Sequence, residues 1–183
     1  MKEADILKQG KVLIYPTDTI WGIGCDALNI KAIEKVKQIK GRNKTKSFIL
    51  LMKDMDMLSC YVESVPLKAL ELITEYEKKN IPLTLLYSNS KNLPLEHLSS
   101  NEYIGIRLPN NVFLQKLFKE FDRPIVSSSA NFSGQASPQN FSQIDKNFLQ
   151  LADYVSLEQR EDKALKTSSN IFIITKNAIQ QIR

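Results

Sequence analysis

Three short clusters of polar residues hold the side chains of this 183-residue chain that could do chemistry. The first is YPTDTIWGIG, from Tyr15 to Gly24. Thr17 and Thr19 can donate to carboxylate or phosphate oxygens, Trp21 can form an aromatic wall, and the glycines let a ligand approach the backbone. The alternative, which composition alone favours, is a Pro-Thr-Asp-Thr turn whose side chains bond to its own backbone.

The second cluster, KGRNKTKS from Lys40 to Ser47, places four cations within seven residues. Lys40 and Arg42 flank Gly41 and precede a buried strand, so they are expected at the sheet rather than along a solvated face. An Arg and Lys fork of this kind can hold a polyphosphate and neutralise the charge on a leaving pyrophosphate. Cations near a helix C-terminus are also commonplace on surfaces, and that interpretation stays open.

The third cluster, SSSANFSG from Ser127 to Gly134, contains four serines and one asparagine. No general base lies near them in the sequence, so the serines are not expected to be activated nucleophiles. They suit hydrogen bonding to an adenylate. A serine- and asparagine-rich turn with internal bonds is the alternative.

Composition excludes several other kinds of site. The chain has one histidine, His97, and two cysteines, Cys25 and Cys60, so neither a Cys/His zinc cage nor a disulfide framework is expected. Its net charge of +5 suits anionic ligands such as nucleotides or RNA, although most of the lysines are scattered over solvated faces. No apolar run approaches the roughly 20 residues of a membrane span, and the start is unlike a signal peptide. We therefore expect a cytoplasmic protein.

The periodicity of the first half predicts alternating helices and strands around these clusters. A short helix ends near Gln9, with Gly10 after its C-cap, and Val12 to Tyr15 forms a buried strand. A glycine-containing loop follows, and Asn29 caps a helix that ends at Gly41. The later predicted elements are a strand over Ser47 to Met52, a short helix capped by Asp54, a helix from Pro66 to Lys79 and a strand over Leu83 to Tyr87.

The second half continues the pattern and ends in a predicted hairpin. After an irregular stretch from Ser88 to Asn101, the predicted elements are a strand over Tyr103 to Leu108, a helix capped by Asn111 with Val112, Leu114, Leu117, Phe118 and Phe121 on its inner face, and a strand over Pro124 to Ser127. Lys176-Asn177 can form a two-residue turn between the last two strands. The result is an α/β chain with a mixed sheet and no internal domain boundary.

Taken in order, the clusters resemble the YrdC-like family of threonylcarbamoyl-AMP synthases from about Val12 to Arg183. The stretches that carry the resemblance are YPTDTIWGIGCDA, KGR followed by Lys46-Ser47, IGIRLP and SSSANFSG. Thr167-Ser168-Ser169 and the terminal Arg183 are similar to later family features, more loosely. Each stretch is weak evidence alone, and their order and spacing make the match specific.

The resemblance implies a single-domain fold over residues 1–183: an α/β, α+β-like twisted mixed sheet with flanking helices and a deep groove. It implies a nucleotidyltransferase that uses ATP with Mg²⁺, L-threonine and bicarbonate to make threonylcarbamoyl-AMP and pyrophosphate. That product would feed threonylcarbamoyladenosine modification of tRNA through a separate transferase complex. The implied partners are therefore ATP, L-threonine, tRNA or double-stranded RNA, and that downstream complex, with no membrane.

The resemblance also implies roles for individual residues. The phosphate-binding and catalytic residues would be Lys40 and Arg42, joined by Lys46. The substrate-binding residues would be Thr17, Thr19 and Trp21 at the threonylcarbamoyl moiety, Ser127, Ser129 and Asn131 at the nucleotide, and Ser168 and Arg183 closing the site from the C-terminal hairpin. No metal ligand is implied in the chain itself.

The sequence departs from the family pattern in two places. Asn80-Ile81-Pro82 stands where the family has Pro-Gly-Pro, and Leu157-Glu158-Gln159-Arg160 stands where it has an Asp-Gly-Gly loop. In the family pattern these glycines are expected where the backbone approaches a ligand. The side chain of Ile81 would therefore stand in the way of the ligand. The alternative function is therefore a divergent module that binds RNA or nucleotide without the synthase reaction.

Overall fold

The described residues, 1–41, 47–175 and 178–183 of a computed structural model, form one mixed sheet of nine strands. The strands are β1 (Leu13–Tyr15), β2 (Gly22–Asp26), β3 (Ile49–Leu51), β4 (Leu83–Tyr87), β5 (Ile104–Arg107), β6 (Ile125–Ser129), β7 (Tyr154–Val155), β8 (Asn170–Ile174) and β9 (Ile179–Gln181). The helices are α1 (Lys2–Lys8), α2 (Ile30–Lys40), α3 (Met55–Tyr61), α4 (Leu67–Lys78), α5 (Leu95–Leu98), α6 (Val112–Glu120) and α7 (Lys146–Gln150), with a 3₁₀ turn at Phe141–Gln143.

The strand order across the sheet is β7-β1-β2-β6-β3-β5-β4-β8-β9. Three pairs are parallel (β1 with β7, β3 with β5, β4 with β8) and the other five are antiparallel, so the predicted mixed α/β sheet is confirmed. The C-terminal strands β8 and β9 pair in the predicted antiparallel way, whereas the turn residues Lys176 and Asn177 lie outside the described part of the chain. One domain over residues 1–183 stays a prediction, with the continuous sheet in its favour.

Three predicted helix starts are confirmed by capping hydrogen bonds. Asn29 accepts from the backbone N–H of Ala32, Asp54 from that of Met57, and Asn111 from that of Leu114. Each side-chain oxygen satisfies one of the backbone donors that the first helical turn leaves unpaired. Helix α2 ends as predicted at Gly41, which adopts the left-handed conformation with φ of 57°.

The predicted loop after β1 is wrong in its second half, because Gly22–Asp26 forms strand β2 in the interior of the sheet. A Cβ built on Gly24 would lie 1.8 Å from the carbonyl oxygen of Val126 on the neighbouring strand β6. Glycine therefore serves here to let two strands approach closely, rather than to make a turn. Because glycine is also typical of turns, the Gly-Ile-Gly pattern indicates a loop when only the sequence is known.

The buried face of α6 differs from the predicted one by its first residue. Phe113, Leu114, Leu117 and Phe118 are buried, whereas Val112 is 66% exposed because it lies in the first turn on the outer side. Strand β6 also extends two residues beyond its predicted end, so Ser128 and Ser129 belong to the sheet. Among the described residues no helix has the length and apolar character needed to cross a membrane.

Asp153 fastens the edge of the sheet where β7 meets β1. Its two carboxylate oxygens accept from the backbone N–H of Val12 at 2.8 Å and from the Nζ of Lys35 at 2.6 Å. Burial is the largest influence and raises the pKa of Asp153, but the bonds from Lys35 and Val12 together outweigh it, and the net shift is downward.

We expect Asp153→Asn to lower the free energy of unfolding at pH 7 by about 1 kcal/mol, because it removes a charge-assisted bond at a partly exposed site. A lowered folded-state pKa contributes stability above the ordinary carboxyl value of 3.8, and that stability is lost as the pH falls through the folded-state pKa. Urea titrations at pH 7 and in acid measure this, with the exposed Asp5→Asn as the control. A difference between variant and wild type that persists unchanged in acid would contradict it.

Candidate active site

A cavity of about 350 Å³ opens on one face of the sheet, and we call it the serine groove. Strands β2, β3, β4, β5, β6 and β8 all contribute to its lining, so the site is built across the middle of the sheet. Its polar lining residues are Thr19, Trp21, Ser47, Arg107, Ser127, Ser128, Ser129, Ser137, Ser168, Ser169 and Arg183.

Strand pairing explains why the serines of β6 are available to this groove. Ser127 pairs with Gly24 and Ser129 with Gly22 on the neighbouring strand. A glycine opposite each serine leaves no side chain to cover the hydroxyl group. The sequence therefore provides a row of small hydrogen-bonding groups beside open backbone, which suits a ligand rich in oxygen atoms.

Arg107 is a buried cation at the end of β5, with its side chain 5% exposed. Its Nη1 donates to the Oγ1 of Thr19 at 2.6 Å, and its Nη2 lies 3.3 Å from the Oδ1 of Asp18. Its Nε–H is buried and has no hydrogen-bond partner among the described residues. Arg107 as a whole lines the groove, so its positive charge favours an anionic ligand there.

Arg183 brings a second guanidinium to the same groove. Its Nε and Nη2 donate to the carbonyl oxygen of Ser169 at 3.2 and 3.1 Å, which fixes the side chain on β8. The hydroxyl groups of Ser169 and Thr84 are bonded to each other at 2.7 Å, and that bond holds this end of β8 to β4. Burial and the neighbouring charge of Arg107 lower the pKa of Arg183. Two like charges that meet in one cavity favour a negatively charged occupant.

The chemistry available in the serine groove is positioning and charge stabilisation. Among its described lining residues there is neither a carboxylate side chain nor an imidazole. The described chain also contains no group of three or more His, Cys, Asp or Glu residues that could hold a metal ion. A reaction here would therefore rely on oriented donors and cations, because these residues offer no general base.

Six of the sequence-predicted site residues line the serine groove together: Thr19, Trp21, Ser127, Ser129, Ser168 and Arg183. They come from four separate parts of the chain that only the sheet brings together. The ring of Trp21 packs on Phe141 with centroids 4.8 Å apart, so the predicted aromatic wall is held in place. Their functional roles stay predictions.

Thr17 and Asn131 do not line the groove, because each bonds within its own loop. The Oγ1 of Thr17 donates to the carbonyl of Ile20 at 2.8 Å and accepts from the N–H of Thr19 at 2.9 Å. The amide of Asn131 donates to the carbonyl oxygens of Phe132 and Gln135. Both side chains therefore make the bonds to nearby backbone that the turn interpretation expects, and their predicted substrate-binding roles stay predictions.

Lys40 is a buried cation at the end of a helix. It is the last residue of α2, it is 4% exposed, and it is absent from the described groove lining. Its Nζ donates to the backbone carbonyls of Ser129 and Asn131 at 2.5 and 2.8 Å. Lys40 thus fixes the end of β6, next to the serines, and its predicted contact with phosphate stays a prediction.

We expect Lys40→Met to lower the free energy of unfolding by about 2 kcal/mol, because two buried carbonyls lose a charged donor while the apolar stem is kept. Lys37→Met is the matched control, since Lys37 makes only a surface ion pair with Glu34. Denaturant titration measures the free energy of unfolding of both variants. Equal values for Lys40→Met and Lys37→Met would show that the two carbonyl bonds contribute nothing to stability.

Arg42 and Lys46 lie outside the described residues, so their predicted phosphate binding is neither supported nor contradicted here. Ser47, the first described residue after them, lines the serine groove. Its Oγ lies 2.8 Å from that of Ser99.

The two departures from the family pattern fall away from the described groove lining. Ile81 is 41% exposed and lines a different cavity on the opposite face of the sheet, so its side chain does not enter the described serine groove, and its predicted effect on a ligand stays a prediction. Asn80 ends α4 with a positive φ of 51°, a conformation that asparagine tolerates. Gln159 adopts φ of 54° in the other departure, and Arg160 there donates to the carbonyls of Ser156 and Val155.

Arg107 lies within the IGIRLP stretch but is not among the site residues predicted from the sequence. A signal was present, because an arginine inside an otherwise apolar strand must find a partner or a ligand when buried. Ser137 and Ser169 were also omitted, and they lie in loops or strand ends whose position only the fold reveals.

Comparison with known proteins places this fold and groove in a family. The Sua5/YciO/YrdC family model, described as "Telomere recombination", matches residues 5–183. The chain belongs to the Sua5/YciO/YrdC family. A curated relative in this family, the threonylcarbamoyl-AMP synthase of Pseudoalteromonas translucida, is 30% identical over 148 residues, which cover 81% of this chain and 79% of the relative. The predicted family membership is confirmed, and so is the prediction that this family consists of nucleotidyltransferase-type enzymes.

Solved structures of the Sua5/YciO/YrdC family share the fold. Pyrococcus abyssi Sua5 complexed with L-threonine has a TM-score of 0.84 and 23% identity over the whole of this chain. Escherichia coli YciO has a TM-score of 0.82 and 23% identity, again over the whole chain. The chain spans 52% of the Sua5 chain and 86% of the YciO chain. The predicted α/β architecture is therefore confirmed.

Proposed function

We propose that this chain is an L-threonylcarbamoyladenylate synthase, which makes threonylcarbamoyl-AMP and pyrophosphate from ATP, L-threonine and bicarbonate. The observation that carries the proposal is the convergence of Arg107 and Arg183 on a serine-lined groove without a described carboxylate. All three substrates bear negative charge, and the groove offers cations and hydroxyl donors to them. The synthase names of the curated relatives and the L-threonine complex of Sua5 agree with it.

The reaction that we propose needs no side-chain base. The threonine amine and bicarbonate combine to a carbamate with loss of water, and a carbamate oxygen attacks the α-phosphorus of ATP. The bond from the α-phosphorus to the bridging oxygen breaks, and pyrophosphate leaves with that electron pair. Buried guanidinium and hydroxyl donors would hold the charged groups in line, which is the main way in which proteins assist phosphoryl chemistry.

Individual groove residues take roles from their positions. Arg107, whose Nε–H is unpaired and buried, would bind an anionic group beside Thr19. Ser127 and Ser129 would donate to the adenylate across the open backbone of β2. Arg183, which bonds to the carbonyl of Ser169 just before β8, would close the groove on that side.

The proposal also covers the metal ion, two further cations and the fate of the product. Mg²⁺ would arrive with ATP as part of the substrate, since the described residues form no cluster suited to hold it. Arg42 and Lys46 keep their predicted role at the phosphates. The product would pass to a separate transferase complex that modifies tRNA, and the protein would act in the cytoplasm.

Pyrophosphate release tests the reaction. The wild type should release pyrophosphate from ATP only when both L-threonine and bicarbonate are present, and omission of either should return the rate to background. Binding of double-stranded RNA with a steep salt dependence but no turnover would instead support the alternative binding module, to which the net charge of +5 is also suited.

A further inference from the structure

Asp18 is a buried carboxylate that the proposed reaction has not used. It lies in the loop between β1 and β2, and its side chain is 10% exposed. Its Oδ1 lies 3.3 Å from the Nη2 of Arg107 and accepts no hydrogen bond among the described residues. The contact is therefore an ion pair held by charge, and removing one partner of such a buried pair is strongly unfavourable.

The same loop holds the guanidinium of Arg107 at both of its terminal nitrogens. Nη1 donates to the Oγ1 of Thr19 at 2.6 Å, while Nη2 faces Asp18. The Oγ1 of Thr17 donates to the carbonyl of Ile20, so Thr19 must donate the bond of 2.9 Å that joins the two threonine hydroxyl groups. With its own proton engaged, the Thr19 oxygen can only accept, which fixes Arg107 as the donor there.

The charge on Asp18 also opposes a repulsion inside the serine groove. Arg107 and Arg183 both line the groove, and the charge of Arg107 lowers the pKa of Arg183. Two like charges in one cavity push each other apart when no anion lies between them. Among the described residues, Asp18 is the carboxylate that pairs with Arg107. Its attraction therefore favours the position of Arg107 that an incoming anion needs.

We infer that Asp18 is a positioning residue for the reaction: its carboxylate holds the Arg107 guanidinium in the orientation that binds an anionic group of the substrates. The inference rests on the proposed function, because that function assigns Arg107 to such a group. Asp18 is absent from the described lining of the serine groove. It would therefore act through Arg107 and not on the substrate itself.

A double-mutant cycle on pyrophosphate release tests the inference. Asp18→Asn keeps the size of the side chain and removes its charge, so it should lower kcat/KM by roughly 10²-fold, the cost of a small misplacement in an active site. In an Arg107→Met background the same change should lower kcat/KM no further, because the residue through which Asp18 acts is gone. Equal fold losses in the two backgrounds would show an independent structural role and overturn the inference.

Two further variants separate charge from general stability. Asp18→Glu keeps the charge, and Asp18 borders the cavity on the opposite face of the sheet, which has room for one more methylene group. This variant should retain most of the wild-type kcat/KM. Asp26→Asn is the matched control, because Asp26 is a buried carboxylate that pairs with Arg123 at 3.1 Å, and neither residue lines the described groove. It should lower the urea midpoint and leave kcat/KM unchanged. A loss of kcat/KM as large as that of Asp18→Asn would overturn the inference.

A readout without turnover separates this inference from the proposed function. NMR of protein labelled with ¹³C and ¹⁵N arginine measures how fast the terminal nitrogens of each guanidinium exchange by rotation about the Nε–Cζ bond, and the chain has five arginines. The Arg107 signal, identified by its loss in Arg107→Lys, should exchange slowly in the wild type and faster in Asp18→Asn, but not in Asp26→Asn.

The two possible failures are distinguishable. Equal exchange rates in the wild type and in Asp18→Asn would overturn the inference, whether or not the protein turns over. A wild type that releases no pyrophosphate would contradict the proposed function, and the exchange rates would still show whether Asp18 holds Arg107 in place.

Discussion

Gly24→Ala should prevent the chain from folding stably. The added Cβ would lie 1.8 Å from the carbonyl oxygen of Val126 and 3.0 Å from its carbonyl carbon, and both are backbone atoms of a buried neighbouring strand. Neither β2 nor β6 can move away without breaking the pairing that joins the two halves of the sheet. We expect a loss of more than about 4 kcal/mol, which is most of the stability of an ordinary domain.

Gly22→Ala is the matched control, because it lies two residues away on the same strand. Its added Cβ would meet the Oγ of Ser127 at 3.1 Å, and a hydroxyl group can rotate away. We expect a loss of about 1 kcal/mol from this variant. Urea denaturation followed by circular dichroism compares the two variants. A Gly24→Ala protein within about 1 kcal/mol of the wild type would show that β2 does not approach β6 so closely.

Arg107→Met should lower kcat/KM for pyrophosphate release by roughly 10²–10³-fold, the range measured when a positioned charge or donor is removed from an active site. Methionine keeps the apolar stem of the side chain but loses the guanidinium that bonds to Thr19 and faces the serine groove. Asp18 is also left without its ion pair, so part of the effect would appear as lower stability.

Two further variants separate the effect on chemistry from the effect on folding. Arg107→Lys keeps a positive charge near Asp18 but cannot reproduce the forked contacts, so it should retain the fold and remain much slower than the wild type. Arg123→Met removes a mostly exposed arginine that pairs with Asp26, and it should leave turnover unchanged. Near-normal turnover of Arg107→Met would remove Arg107 from the site.

Sequence patterns predicted the elements whose signals are local. The caps at Asn29, Asp54 and Asn111 and the left-handed end of α2 at Gly41 follow from side-chain chemistry within three or four residues, and all are confirmed. The order of the polar clusters predicted the family, which is confirmed across residues 5–183.

The features that sequence reasoning missed depend on contacts between distant strands. The glycines of β2 indicate a loop unless their neighbour is known to be β6, more than a hundred residues later. Only the fold shows that the ammonium of Lys40 reaches carbonyls about ninety residues away, and its predicted role at the phosphates stays a prediction. Ile81 was expected in the groove, and the loop between α4 and β4 places it beside a cavity on the other face of the sheet.

Product analysis with labelled bicarbonate shows directly whether this chain makes threonylcarbamoyl-AMP. Wild-type protein is incubated with ATP, Mg²⁺, L-threonine and ¹³C-bicarbonate, and the adenylates are separated and identified by mass spectrometry. We expect an adenylate that contains threonine and the labelled carbon, formed together with pyrophosphate and absent when threonine is omitted. ATP that binds to the wild type but yields no labelled adenylate would contradict the synthase function.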